Sequence, residues 1–114
     1  MDEISLSAPT TCCELRDGVV KCYMIKPEQY GFTMCAKQDM VGGDPQENAR
    51  IARDILSGEK GPKRDAVLLN SAACIYMTQN DITMDQAVAM AADIIDSGKA
   101  LEQLNRFVEL SNTI

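Results

Sequence analysis

Polar and hydrophobic residues alternate along the second half of the chain with the period of an α-helix. Apolar residues recur three and four positions apart in four segments, near 45–57, 62–78, 84–96 and 98–111. This spacing places them on one face of a helix, so each segment is predicted to be helical. The stretch from 66 to 77 is apolar almost all round, and we therefore expect helix 62–78 to be the buried one.

Capping residues support the starts of two of these helices. Asp44 lies directly before Pro45 and three residues before Glu47, which predicts an N-cap, a proline in the first turn and a capping box. Thr83 lies three residues before Gln86 and predicts a second capping box. Both helices therefore have defined starting points.

Two serine–glycine pairs mark the ends of the first and third predicted helices. Ser57–Gly58 follows the first helix and Ser97–Gly98 follows the third. Glycine adopts the left-handed conformation of a helix C-terminus without strain. The Ser97 side chain can also accept a hydrogen bond from the start of the last helix, so we predict that it caps that helix.

The first part of the chain predicts a β-hairpin over residues 10–25. Its turn is Asp17–Gly18, since a two-residue hairpin turn of type I′ needs positive φ at both positions. The register places Glu14 opposite Lys21, where the two charges can pair on the solvent face. We expect the opposite face to be buried; it carries Thr11, Cys13, Leu15, Val20, Cys22 and Met24.

The five cysteines, at positions 12, 13, 22, 35 and 74, are predicted to be free thiols. Cys13 and Cys22 lie opposite each other in the predicted hairpin, so a disulfide is the alternative. Reduced thiols fit a cytoplasmic protein better, since disulfides are rare in that compartment. The chain has no histidine and no Cys-x-x-Cys pair, which disfavours structural zinc and excludes Ser-His and Cys-His nucleophiles.

One hairpin and four helices predict an α+β fold, in which a small sheet packs with about four helices in a single domain over residues 1–114. The net charge of −6 disfavours nucleic-acid binding, which needs clustered basic residues. The sequence has no apolar run of the roughly 20 residues that cross a membrane. We therefore expect a cytoplasmic protein with neither a nucleic-acid nor a membrane partner.

Three polar features are candidate sites. Asp2–Glu3 could bind a metal ion, although adjacent acids near a terminus are usually only solvated. Gly42–Gly43 before a helix start could bind phosphate, but Asp44 would put a carboxylate there, so a self-capped helix is favoured. Asn70 and Ser71 interrupt the most apolar helix, either as a ligand contact or, in the favoured interpretation, with a buried amide bonded to neighbouring backbone.

Several blocks of the sequence, in order, resemble the C-terminal part of the anthranilate phosphoribosyltransferases. The longest block is 56–70, and the others are 44–48, Met1–Leu6, Pro9–Thr11, Glu14–Leu15 and Asp96–Leu101. The resemblance implies that the chain is the C-terminal portion of a larger phosphoribosyltransferase α/β domain. The family is a glycosyltransferase family of tryptophan biosynthesis that joins anthranilate to phosphoribosyl pyrophosphate and releases pyrophosphate.

The same resemblance gives Asp2 and Glu3 a role as magnesium ligands. In the family, an Asp-Glu pair in this Asp-Glu-Ile-Ser context holds Mg²⁺ against the pyrophosphate of the ribosyl donor. No other catalytic or cofactor-binding residue of the family falls within this sequence. The family's Gly-Thr-Gly-Gly-Asp phosphate loop and its helical N-terminal domain lie earlier in those enzymes, so we expect the chain alone to be inactive.

Three explanations of such a fragment stay open at this point: a cloned portion, a truncated gene, or one half of a split enzyme whose partner is the missing N-terminal part. A non-catalytic binding or regulatory module that kept the fold is the alternative function. A nucleic-acid-binding relative of the same fold is disfavoured by the acidic charge.

Overall fold

A two-stranded antiparallel hairpin packs beside four helices in the computed structural model, which describes residues 3–114. This arrangement confirms the predicted α+β class. The strands are β1, Thr10–Arg16, and β2, Val19–Ile25, and the helices are α1, Pro45–Leu56, α2, Pro62–Thr78, α3, Met84–Asp96, and α4, Lys99–Ser111. Two 3₁₀ turns, Pro27–Tyr30 and Lys37–Met40, connect the hairpin to α1.

The four predicted helices are present with bounds within one residue of those expected. The role predicted for Ser97 is wrong. Gly98, with φ of 81°, occupies the N-cap position of α4, while Ser97 ends α3. The Ser97 hydroxyl donates to the carbonyl of Ile94 at 3.3 Å. The side chain therefore bonds to the last turn of α3, and α4 has no side-chain cap.

Both predicted N-caps are present, but the two capping boxes differ. The amide of Gln86 donates to the Thr83 hydroxyl, and the Gln86 side chain accepts from the Thr83 amide, so this box is complete. Asp44 accepts from the amide of Glu47 at 2.8 Å. The reciprocal bond is replaced by an ion pair between Glu47 and Arg50 at 2.7 Å, because Arg50 lies one turn along the same helix face.

The register predicted for the hairpin is confirmed, and the buried face predicted for it is wrong. Glu14 lies opposite Lys21, and the turn residues Asp17 and Gly18 have φ of 51° and 76°. The face that packs against the helices carries Glu14, whose carboxylate accepts a hydrogen bond from Tyr76 of α2. The face that was expected to be buried is exposed: Leu15 is 71% and Val20 62% exposed, and Thr11, Cys13, Cys22 and Met24 are also exposed.

Cys13 and Cys22 are joined by a disulfide across the hairpin, so the prediction of five free thiols is wrong. Their Cα atoms lie 4.1 Å apart, since directly opposite residues in an antiparallel pair bring their side chains together. Within the part of the chain that the structure describes, the free thiols are those of Cys12, Cys35 and Cys74.

Helix α2 lies at the centre of the packing, as its apolar composition predicts. Leu69 is fully buried and packs with Leu6 and Ile25, which joins the N-terminal segment and the hairpin to the helix. Leu68 faces the other helices, in a cluster with Ile55, Ala91 and Ile95. The C-terminal end of α2 departs from the prediction, because Met77 is 71% exposed.

Candidate functional site

The candidate magnesium ligands lie at the very start of the chain. Asp2 lies outside the described residues. Glu3 lies in a bend, and its side chain is exposed. Its carboxylate is a hard oxygen donor, the type that Mg²⁺ prefers, and an exposed position leaves room for the water and phosphate oxygens that this ion usually keeps. The chemistry and accessibility of Glu3 therefore fit a magnesium ligand.

The backbone next to Glu3 is held by Asn70 of α2. The amide N–H of Ile4 donates to Oδ1 of Asn70 at 2.8 Å, and Nδ2 of Asn70 donates to the carbonyl of Ile4 at 2.9 Å. The same Nδ2 donates to the carbonyl of Ala66 at 3.0 Å. Asn70 is thus bonded to backbone, as favoured from the sequence, but Ile4 lies 66 residues away, a distance that no local sequence pattern reveals.

Two further contacts hold the residues that follow Ile4. The amide of Ser5 donates to Oγ1 of Thr10 at 3.0 Å. Leu6 is 1% exposed, and its carbonyl accepts from the amide of Cys35 at 3.0 Å. Burying a leucine side chain contributes about 2 kcal/mol, so this segment is attached by packing as well as by hydrogen bonds.

The arrangement provides an exposed carboxylate on a fixed backbone, and an incomplete metal shell. Among the described residues, no group of three or more histidine, cysteine, aspartate or glutamate side chains could hold an ion. A metal ion bound by Glu3 would therefore need further donors, such as water or the oxygens of a bound ligand. Such a partial shell is typical of Mg²⁺ sites in enzymes that act on phosphorylated substrates.

A second polar cluster ties the hairpin to α2. Oε1 of Glu14 accepts from the Tyr76 hydroxyl and Oε2 from the Tyr23 hydroxyl, each at 3.0 Å, and Arg16 pairs with Oε1 at 3.0 Å. The hydrogen bond from Tyr76 is the main cause that lowers the pKa of Glu14, and desolvation opposes it. The same bond raises the pKa of Tyr76. These groups satisfy one another, so the cluster is structural.

A cavity of about 490 Å³ lies between α1 and the start of α2. Arg64, only 3% exposed, pairs there with Asp96 at 2.9 Å. Lys60 reaches the same carboxylate at 3.5 Å, and Arg50 pairs with Asp54 in α1. Acidic and basic side chains thus neutralise each other around the cavity, which gives it no clear preference for a charged ligand.

The glycines before α1 do not form a free phosphate loop. The amide of Gly43 donates to Oδ1 of Asn48 at 2.9 Å, and Nδ2 of Asn48 donates back to the carbonyl of Gly43 at 3.0 Å. Asp44 caps the helix. This confirms the self-capped helix start that the sequence favoured.

Comparisons with known proteins identify the class of protein that this α+β arrangement represents. The model of the glycosyl transferase family, a/b domain, matches residues 1–101. The chain therefore belongs to this family. None of the helices in residues 3–114 is long and apolar enough to cross a membrane.

Within that family, the chain is similar to anthranilate phosphoribosyltransferases. The enzyme of Lachnoclostridium phytofermentans is 61% identical over 98% of this chain and 33% of that protein. The Saccharomyces cerevisiae enzyme in complex with PRPP and Mg superposes with a TM-score of 0.88 and 26% identity, over all of this chain and 33% of the other. Its complex with 4-fluoroanthranilate gives the same TM-score, over 34% of that chain. The chain spans about a third of the length of these relatives.

Proposed function

We propose that residues 1–114 are the C-terminal portion of the phosphoribosyltransferase α/β domain of an anthranilate phosphoribosyltransferase. The substrates of that enzyme would be phosphoribosyl pyrophosphate and anthranilate, in a cytoplasmic step of tryptophan biosynthesis. The observation that carries this proposal is the 61% identity to the Lachnoclostridium phytofermentans enzyme across 98% of the chain.

In this proposal, Asp2 and Glu3 are the residues that would hold Mg²⁺. The exposed carboxylate of Glu3 and the fixed backbone of Ile4 support this assignment. The ion would neutralise the charge that develops on the pyrophosphate leaving group. The chain's own contribution is to hold these carboxylates in place, while the other parts of the enzyme supply the sites for the two substrates.

The surface of the chain supports a need for the rest of such an enzyme as partner. On the outer face of the hairpin, Leu15 and Val20 lie opposite each other and Met24 is exposed further along the same face. Exposed apolar surface of this kind often marks an interface. The partial metal shell at Glu3 points the same way. We therefore expect the isolated chain to have no phosphoribosyl transfer activity and to bind Mg²⁺ only weakly.

A chimaeric enzyme tests this proposal. This chain replaces the matching third of the Lachnoclostridium phytofermentans enzyme, and the loss of anthranilate fluorescence is followed with phosphoribosyl pyrophosphate and Mg²⁺. We expect turnover within about tenfold of the parent, because the exchanged third is 61% identical in sequence to the segment it replaces. The isolated chain, assayed in parallel, should give no turnover.

A double variant of the chimaera tests the metal ligands. Replacing Asp2 with Asn and Glu3 with Gln should lower turnover at least about a hundredfold. The melting temperature should stay within about two degrees, since the Glu3 side chain is exposed and surface substitutions usually change stability little. A chimaera that melts like its parent but has no turnover would support the alternative, a non-catalytic binding or regulatory module. Steady turnover by the isolated chain would overturn its proposed dependence on the other parts.

A further inference from the structure

Asn70 joins helix α2 to the backbone beside Glu3, and we propose that it is a positioning residue for the magnesium ligands. The inference rests on the proposed function, because it assumes that Asp2 and Glu3 hold the ion. Asn70 itself does not touch the metal in this proposal. It acts through the backbone of Ile4, which follows Glu3 directly in the chain.

The two bonds from Asn70 fix both peptide planes that meet at Ile4. The Ile4 N–H belongs to the planar unit that links it to Glu3, and the Ile4 carbonyl belongs to the unit that links it to Ser5. Since one bond holds each plane, at 2.8 and 2.9 Å, both backbone dihedrals of Ile4 are restrained. The Cα of Glu3 lies about 3.8 Å from the Cα of Ile4 across a trans peptide. Its position is thereby held relative to α2.

The Asn70 amide group is itself held in one orientation. A side-chain amide has two N–H donors and one carbonyl acceptor. Here one N–H goes to Ile4, the other to Ala66 one turn earlier in α2, and Oδ1 accepts from Ile4. A flipped amide would place its NH₂ group against the Ile4 N–H and lose these bonds. The helix therefore determines the direction in which Asn70 presents its polar atoms.

The location of Asn70 also argues for a specific role. It follows Leu68 and Leu69, which are buried in the two halves of the core. A polar side chain beside the core costs free energy unless its hydrogen bonds are made. An alanine or leucine would pack there without that requirement, so the amide is explained by its contact with Ile4. Removing a residue that orients metal ligands through hydrogen bonds, without binding the metal itself, commonly lowers metal affinity by roughly 10- to 100-fold.

The first test measures metal binding by the 114-residue chain with MnCl₂ as the probe. Mn²⁺ accepts the same oxygen ligands as Mg²⁺, and its unpaired electrons broaden the NMR signals of nearby amides. In the unsubstituted chain, Mn²⁺ should broaden the amide signals of Glu3 and Ile4 selectively. Asn70→Leu should raise the midpoint of that titration about tenfold and speed hydrogen exchange at the Ile4 amide by a similar factor.

Two further variants separate positioning from general stability. Asn48→Leu removes an equivalent pair of amide–backbone bonds, to Gly43, far along the chain from Glu3. Its Mn²⁺ midpoint should change less than about twofold, even where its melting temperature falls. Thr10→Val keeps a β-branched residue but removes the hydroxyl that accepts from Ser5, one residue further from the ligands. We expect the Mn²⁺ midpoint of Thr10→Val to lie between those of Asn70→Leu and Asn48→Leu.

The chimaeric enzyme gives the second, functional readout. Asn70→Leu should raise the Mg²⁺ concentration needed for half-maximal rate about tenfold, while kcat at saturating Mg²⁺ stays within about threefold of the unsubstituted chimaera. A role confined to packing would lower the amount of folded enzyme without moving the Mg²⁺ requirement.

The outcomes for this inference and for the proposed function differ. Faster exchange at Ile4 with an unchanged Mn²⁺ midpoint overturns the positioning role, and so does the absence of selective broadening at Glu3. An inactive chimaera combined with a shifted Mn²⁺ midpoint overturns the proposed function and leaves the positioning role intact. A shifted midpoint together with a raised Mg²⁺ requirement supports both.

Discussion

Tyr76, near the end of α2, donates its hydroxyl hydrogen to Oε1 of Glu14 in the first strand, at 3.0 Å. The two residues are 62 positions apart in the sequence. Arg16 lies with its guanidinium carbon 4.6 Å from the centre of the Tyr76 ring and pairs with the same carboxylate oxygen. This contact lies on the face of the hairpin that turns towards the helices, the face that also carries Cys12.

The Glu14 cluster predicts a dependence of stability on pH. The Tyr76 bond lowers the pKa of Glu14 below its ordinary value of 4.5. The stabilisation is therefore complete above about pH 4.5 and is lost as the pH falls through the lowered pKa of the folded state. Chemical denaturation between pH 6 and pH 3 should show a smaller loss of stability in Glu14→Gln than in the unsubstituted chain.

Tyr76→Phe serves as the intermediate variant for that experiment, because it removes one hydroxyl donor and keeps the ring beneath Arg16. The slope of its unfolding free energy against pH should lie between the slopes of the unsubstituted chain and Glu14→Gln. Identical slopes in all three proteins would mean that Glu14 titrates alike in the folded and unfolded states.

The disulfide predicts the number of reactive thiols. Under denaturing, non-reducing conditions, a thiol titration should count three per chain, from Cys12, Cys35 and Cys74. After reduction the count should rise to five, the number of cysteines in the sequence. Cys13→Ser should leave Cys22 free and give four thiols without reductant. A count of five before reduction would mean that Cys13 and Cys22 are free thiols, as predicted from the sequence.

The partly buried ion pair between Arg64 and Asp96 predicts an asymmetric response to substitution. Asp96→Asn removes the carboxylate that faces Arg64, which is 3% exposed, and leaves a buried guanidinium charge unpaired. Because Asp96 itself is half exposed, we expect a loss of about 2 kcal/mol rather than the full penalty of a buried charge. Lys60→Met removes a longer contact to the same carboxylate and should cost less than about 0.5 kcal/mol. Urea midpoints compare the two.

The helix termini predict that two similar hydroxyl residues differ in their contribution to stability. Thr83→Ala removes the N-cap of α3 and should lower the free energy of unfolding by about 1 kcal/mol. Ser97→Ala removes only the bond to the carbonyl of Ile94 and should cost a few tenths of that amount. Equal losses in urea denaturation would contradict the assignment of Gly98 as the N-cap of α4.

Local features of the sequence predicted the helices well. Asp44, Thr83 and the glycines after the helices act on their immediate neighbours, so their effect is visible in a short stretch of sequence. The hairpin turn and its register were equally local. The choice of buried face was not, because alternation defines two faces and a distant residue, Tyr76, decides which one is covered.

The candidate site shows the same division more strongly. An acidic pair near a terminus carries little information, and Asp2–Glu3 gained significance from the resemblance of its surroundings to a family. The sequence singled out Asn70 as a polar interruption of an apolar helix. Its partner, Ile4, is joined to it only by the folded structure, since the bond spans 66 positions.

The Asn70–Ile4 bond has a consequence for the order of folding. Closing a loop of 66 residues costs about 2 kcal/mol more chain entropy than closing the hairpin, whose cysteines are 9 positions apart. Ile4 precedes α2 in the chain, and its backbone can be fixed by Asn70 only after α2 has formed and docked. The segment beside the proposed metal ligands is therefore made before α2 and fixed only after it, so its order reports that the surrounding helices have packed.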